Sequence, residues 1–124
     1  ILNGGANNDR LTGGAGSDSL TGGTGSDTFI FDSFIGVDAI NDFSWSQNDK
    51  LDVKALLSGF YTDPLTQAIT DFVRITTSGS NTIVAVDQNG GANNFVHIAT
   101  LFGTNTASLT DEAALVANGK LIVI

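Results

Sequence analysis

Apolar positions follow two regimes along the chain. From Ile1 to Phe31 they are sparse and evenly spaced, with Leu2, Leu11, Leu20 and Phe29 nine residues apart and glycine-rich polar runs between them. Beyond that they gather into short blocks. Asp38 to Phe43 and Lys50 to Val53 predict short strands, and Ala55-Leu56-Leu57 a helical turn. Phe72 to Thr77 and Thr82 to Asp87 alternate β-branched and polar residues about Ser78-Gly79-Ser80-Asn81, the pattern of an antiparallel hairpin. Asn93 to Leu101 predicts another strand after the Gly90-Gly91 turn. Ser108 with Asp111 forms a capping box ahead of a short helix over 113–117, which Asn118-Gly119 closes. Leu121 to Ile124 is a final strand or an exposed tail.

The first regime is an internal repeat. Gly4 to Thr12, Gly13 to Thr21 and Gly22 to Ile30 align without slippage, each with six turn residues and three strand residues. Ile1-Leu2-Asn3 matches the last three positions of a preceding unit, so the expectation is the end of a longer array. Two units would make one coil with a strand on each side, and the eighth position would point inward. Glycine at the first, second and usually fourth positions permits positive φ and lets backbone carbonyls converge. Asn7 replaces the fourth glycine once, and asparagine tolerates the left-handed region well. A flexible linker would have no reason to keep aspartate and an apolar residue in register through three units.

Charge and composition narrow the chemistry. The net charge is −8, and twelve of the thirteen acids are aspartate, the acid of turns and metal loops, with Glu112 the single exception. Five cationic residues build no basic face, which excludes nucleic-acid binding. No run approaches the ~20 apolar residues of a membrane span, and residues 1–8 lack signal-peptide regions. The absence of cysteine excludes disulfides, thiolate metal sites and cysteine nucleophiles. His97 is the lone histidine, and neither a Gly-x-Ser-x-Gly elbow nor a zinc signature accompanies it, so no enzyme is expected.

Because alternate turns lie on one side, Asp9 should stack on Asp27, eighteen residues later. Strands at roughly 4.8 Å would bring like charges together, which is repulsive unless a cation lies between them. Carboxylates with backbone carbonyls form a hard oxygen cage of about six ligands, suited to Ca²⁺ over Zn²⁺ or Cu²⁺, and less well to Mg²⁺. The candidate ligand loops are Gly4, Gly5, Asn7 and Asp9; Gly13, Gly14, Gly16 and Asp18; and Gly22, Gly23, Gly25 and Asp27. Loop count puts the number of ions at roughly two to four.

This Gly-Gly-x-Gly-x-Asp-x-apolar-x spacing resembles the parallel β-roll of the RTX (repeats-in-toxin) family. The segments Asp27 to Phe31, Asp38 to Phe43 and Asp49 to Val53 are similar to the cap that follows such repeats in type I secreted proteins. The hairpin, the strand around Val96-His97-Ile98 and the close at Asn118 to Ile122 resemble the C-terminal target domain of large RTX adhesins. The resemblance implies a mostly all-β chain. On that resemblance residues 1–31 are expected to form a nonapeptide β-roll, and 32–124 a β-rich cap and secretion target region with one or two short helices. It further implies a monomer secreted through a type I exporter, the apolar tail carrying part of the signal. It implies, too, a chain that is disordered at low cytosolic calcium and folds outside, with a surface ligand belonging to the parent adhesin.

The site facing Asp18 lacks a third repeat loop, since its partner position is Gly36, and must borrow from the cap. Asp32, Asp38 and Asp42 are candidates, with Asp38 and Asp42 ranked above Asp49 and Asp52; strand-end turns use aspartate too, so turn residue and ligand both stay open for each. The alternative function is a calcium-dependent adhesin or glycan-binding head, which an exposed aromatic platform around Trp45, Phe60 or Tyr61 would favour.

Overall fold

A computed structural model describes residues 1–63, 67–91, 94–103 and 112–124. The repeat dictates the path of the chain. Each strand of three to six residues is too short to do more than cross one side of a coil, and the turn after it sends the chain to the opposite sheet. Strands β1 (Leu2–Ala6), β3 (Ser19–Thr24) and β5 (Asp38–Ile40) therefore build one parallel sheet, and β2 (Arg10–Thr12), β4 (Thr28–Ile30) and β6 (Lys50–Asp52) the other.

Two strands from the far end of the chain extend this pattern. Strand β9 (Val96–Leu101) adds in parallel beside β5, and β10 (Leu121–Ile122) in parallel beside β6. The register is continuous. Leu2, Leu20, Ile40 and Leu101 form one apolar ladder, and Leu11, Phe29, Leu51 and Leu121 the facing one. All are buried except Leu2, which is 39% exposed on the outermost rung. The sequence periodicity stops at residue 31, but the coiling does not. The boundary expected between 31 and 32 marks a change in loop chemistry, and a single core runs across it from Leu11 to Val123.

The hairpin forms as predicted. Strands β7 (Val73–Ser78) and β8 (Asn81–Val86) pair antiparallel about the two-residue turn Gly79-Ser80, with Gly79 at φ +61°. Strand β8 pairs with β9, so the hairpin lengthens the first sheet to six strands. Helix α1 (Lys54–Leu57) buries Leu56 and Leu57. Helix α2 (Glu112–Ala117) ends as expected at Asn118-Gly119, where Gly119 takes a positive φ and the Lys120 N–H reaches back to Leu115 O. The buried Glu112 accepts the Ile75 N–H at 2.7 Å, so α2 protects the edge strand β7. The proposed Ser108 and Asp111 capping box, and Asn93 at the start of the predicted ninth strand, lie outside the described residues.

Candidate metal centre

The connections fall on two sides of the roll. Loops 7–9, 25–27 and 41–49 lead from the first sheet to the second, while 13–18 and 31–37 return. On the first side the Asp9 N–H donates to Asp27 Oδ1 at 2.9 Å, and the Asp27 N–H to Asp49 Oδ1 at 2.9 Å. On the second, the Asp18 N–H donates to Asp38 Oδ1 at 3.0 Å. Aspartates thus stack as 9-27-49 and 18-38, with Asp27, Asp49 and Asp38 each tied through one carboxylate oxygen to the coil before it.

The other oxygen distinguishes the repeat loops. Oδ2 of Asp9, Asp18 and Asp27 is buried and has no hydrogen-bond partner. Each of these side chains folds back over the first glycine of its own repeat. A methyl carbon at Gly4 would lie 2.6 Å from Asp9 Oδ2, at Gly13 2.8 Å from Asp18 Oδ2, and at Gly22 it would collide with Asp27 Oδ2. Carbonyls converge on the same loops, since a side chain at Gly23 would strike the Gly5 carbonyl and one at Gly25 that of Asn7. Asn7 itself takes φ +86°.

The cap aspartates divide differently from the expected ranking. Asp38 sits under Asp18, whose N–H it accepts. Asp32 is exposed. Asp42 does not join Asp18: it lies on the opposite side, where its two oxygens accept the Gly22 N–H at 2.8 Å and the Gly23 N–H at 2.7 Å. Asp49, ranked lower, is buried on the Asp9–Asp27 stack, and its second oxygen accepts the Ser44 N–H at 2.8 Å. The reason is spacing. The step from Asp27 to Asp49 is 22 residues and that from Asp18 to Asp38 is 20, so inserted loop residues put both off the eighteen-residue spacing of the repeat. A signal existed nonetheless: Asn48-Asp49-Lys50-Leu51 repeats Asn8-Asp9-Arg10-Leu11 with one conservative change. Asp52 is buried on β6, where the Lys54 N–H caps it and Arg10 and Lys54 each approach at 3.9 Å.

Stacking of like charges has a titration consequence. Burial pushes the Asp38 carboxyl above the ordinary value of 3.8, against the pull of the Asp18 amide, and the charges of Asp18 and Asp32 push the same way. Asp49 is raised by burial too, with Asp27 and Asp42 adding repulsion and the Asp27 and Ser44 amides opposing it.

Among the described residues, no group of three or more His, Cys, Asp or Glu side chains could hold a metal by itself. The donor set is instead one carboxylate oxygen per repeat with backbone carbonyls beside it, an all-oxygen set that fits calcium. Residues 1–34 match the family model of the RTX calcium-binding nonapeptide repeat, in four copies. This is an RTX β-roll. RTX repeats bind calcium, and the partnerless oxygens of Asp9, Asp18 and Asp27 lie at the aspartate position of that repeat. The whole chain is similar to a solved structure, the AlgE6R3 subunit from the Azotobacter vinelandii mannuronan C5-epimerase, with a TM-score of 0.55 and 32% identity over 98% of this chain. It spans 66% of the length of that structure. No curated protein matches the sequence.

The remaining candidates carry no comparable site. His97 is exposed, its Nε2 lying 3.0 Å from Ala99 O and 2.9 Å from Thr100 Oγ1. Tyr61 is buried edge-on to Phe72, and Trp45 packs half-buried edge-on to Phe43 at 4.6 Å, so Phe60 alone of the three suspected platform rings is exposed. No helix among the described residues is long and apolar enough to cross a membrane.

Proposed function

We propose that this RTX β-roll is a calcium-triggered folding and export module of a bacterial protein secreted through a type I exporter. The observation that carries the reading is the set of buried, partnerless oxygens on Asp9, Asp18 and Asp27. Buried carboxylate oxygens without partners are costly, and three in one narrow roll favour an open chain until their charge is met. Asp9 and Asp27 on one side, and Asp18 with Asp38 on the other, hold the ions together with glycine-loop carbonyls. Bound calcium supplies positive charge and oxygen coordination between successive loops.

In calcium-poor cytosol the stacked acids repel, and the glycine-rich coils stay extended enough to be threaded through an exporter. Outside, with an affinity near 10⁻⁴ M, millimolar calcium contributes about 1.4 kcal/mol per site by mass action. The parent protein is an adhesin on the resemblance of the cap. The likeness to an epimerase subunit favours a second reading, in which the parent is a secreted enzyme acting on a polysaccharide and this segment is its non-catalytic module.

Far-UV circular dichroism through a calcium titration, with magnesium as control and chelator to reverse it, tests the switch. A cooperative gain of β-signal near millimolar calcium is the expected result. A signal already complete in chelator would sink the switch and move the binding-head reading ahead. Calorimetry of the calcium-loaded chain with mannuronan separates the two parents: measurable binding favours the polysaccharide enzyme.

A further inference from the structure

The loop that ends the Asp9–Asp27 side differs from the repeat loops in how its oxygens are used. In the repeats one carboxylate oxygen per aspartate is uncommitted. In the 42–49 loop both oxygens of Asp49 accept backbone N–H groups, from Asp27 and Ser44, and both oxygens of Asp42 accept those of Gly22 and Gly23. The carbonyls are committed as well. Lys50 Nζ lies 3.2 Å from Asn48 O and 2.8 Å from Ser26 Oγ, which donates to Asn48 O at 2.6 Å. Lys120 Nζ donates to Trp45 O at 3.2 Å, and the Asp49 N–H closes on Ser44 O at 3.1 Å.

Two of the five cationic residues in the chain therefore converge on this one loop. Their positions are equivalent: Lys50 precedes the ladder residue Leu51, and Lys120 precedes Leu121, its partner on the next rung. An ammonium placed between Ser26 and Asn48 sits between the last repeat loop and the cap loop, the level at which a divalent ion would otherwise join two coils. It offers positive charge and three donors to oxygens, with no requirement for external calcium.

We propose that the 42–49 loop is a calcium-free end stop of the ladder, in which the Lys50 and Lys120 ammonium groups and the Ser44 amide take the place of a metal ion. The inference rests on calcium binding by the repeats and deepens that reading. Asp42 and Asp49 are then structural acceptors and not ligands, and the cap presents a finished rung on which the repeat coils close one after another as calcium loads them.

The test counts ions. Equilibrium dialysis with radioactive calcium gives the number bound at saturation, and circular dichroism the calcium midpoint, for the wild-type chain, Lys50→Met, Asp49→Asn and Asp27→Asn. The expected result is that Lys50→Met binds no fewer ions than wild type while its midpoint rises about two- to fourfold, the loss of one charged hydrogen bond shared among a few coupled ions. Asp49→Asn keeps the wild-type count, and Asp27→Asn binds at least one ion fewer. Loss of an ion in Lys50→Met or Asp49→Asn, or an unmoved midpoint in Lys50→Met, overturns the end stop while leaving the calcium switch standing. A wild-type chain that binds no calcium overturns both. Where Asp49→Asn does not fold, the count in Lys50→Met decides.

Discussion

The two ends of this roll solve the same problem with different materials. At the repeat end, two rungs hold a thin core of Leu11, Leu20 and Phe29, and the loops leave buried carboxylate oxygens without partners. At the cap end, two further rungs use the same ladder geometry, but both oxygens of Asp42 and of Asp49 accept backbone N–H groups, and the strands pack against a hairpin and two helices. One end needs a ligand to be complete. The other has the acids of its end loop paired within the protein, which is what a switch anchored to a stable base requires, since terminal rungs of a solenoid need capping.

Chelation applies the largest stress to that contrast. With calcium removed, amides of β1 to β4 should lose hydrogen-exchange protection while those of β7 to β9 keep theirs, read by exchange mass spectrometry. Uniform loss across both ends would erase the distinction. Next in size is Phe29→Ala, which empties a fully buried ladder position and should cost about 3–5 kcal/mol in urea unfolding with calcium present. A cost below 1 kcal/mol would mean the repeat core is not close-packed.

Asp27→Ala removes one partnerless oxygen and the acceptor for the Asp9 amide. It should raise the calcium midpoint well above that of Asp63→Ala, an exposed change worth within about 0.5 kcal/mol. Equal effects would displace the site. Glu112→Ala acts at the cap, exposing the Ile75 amide on the β7 edge at a cost of about 1–3 kcal/mol. Its effect should be the same with and without calcium, and a strongly calcium-dependent loss would argue against a metal-independent base.

The smallest effect is that of pH on the calcium-free chain. Asp38 and Asp49 have folded pKa values above 3.8, so the folded state holds their protons more tightly than the unfolded state does. The stability they contribute is complete below about pH 3.8 and is lost as pH rises through the raised values. In chelator, acidification toward 3.8 should therefore restore β-signal to the wild-type chain more than to Asp38→Asn/Asp49→Asn, read by circular dichroism. Parallel curves for the two would remove the assignment.

Much of this was legible in the residues. A nine-residue period with aspartate in register specified coils, inward Leu and Phe, and the stacking of Asp9 on Asp27, because strand alternation and glycine turns leave one way to bury the apolar position. The hairpin and the C-terminal close were legible for the same local reasons. Asp49 was harder to rank, because an inserted turn stretches its step to 22 residues and periodicity carries no information across an insertion.

What the sequence determined, then, is everything that short-range geometry controls: the coil, its glycines, its aspartates and the all-oxygen donor chemistry that fits calcium. What only the tertiary structure decided is how the roll ends. Leu101 and Leu121 join ladders begun at Leu2 and Leu11, and Lys50 and Lys120 meet on one loop although 70 residues separate them along the chain. Contacts of that range come from burying a common core, and no local pattern encodes which distant strand will supply the last rung.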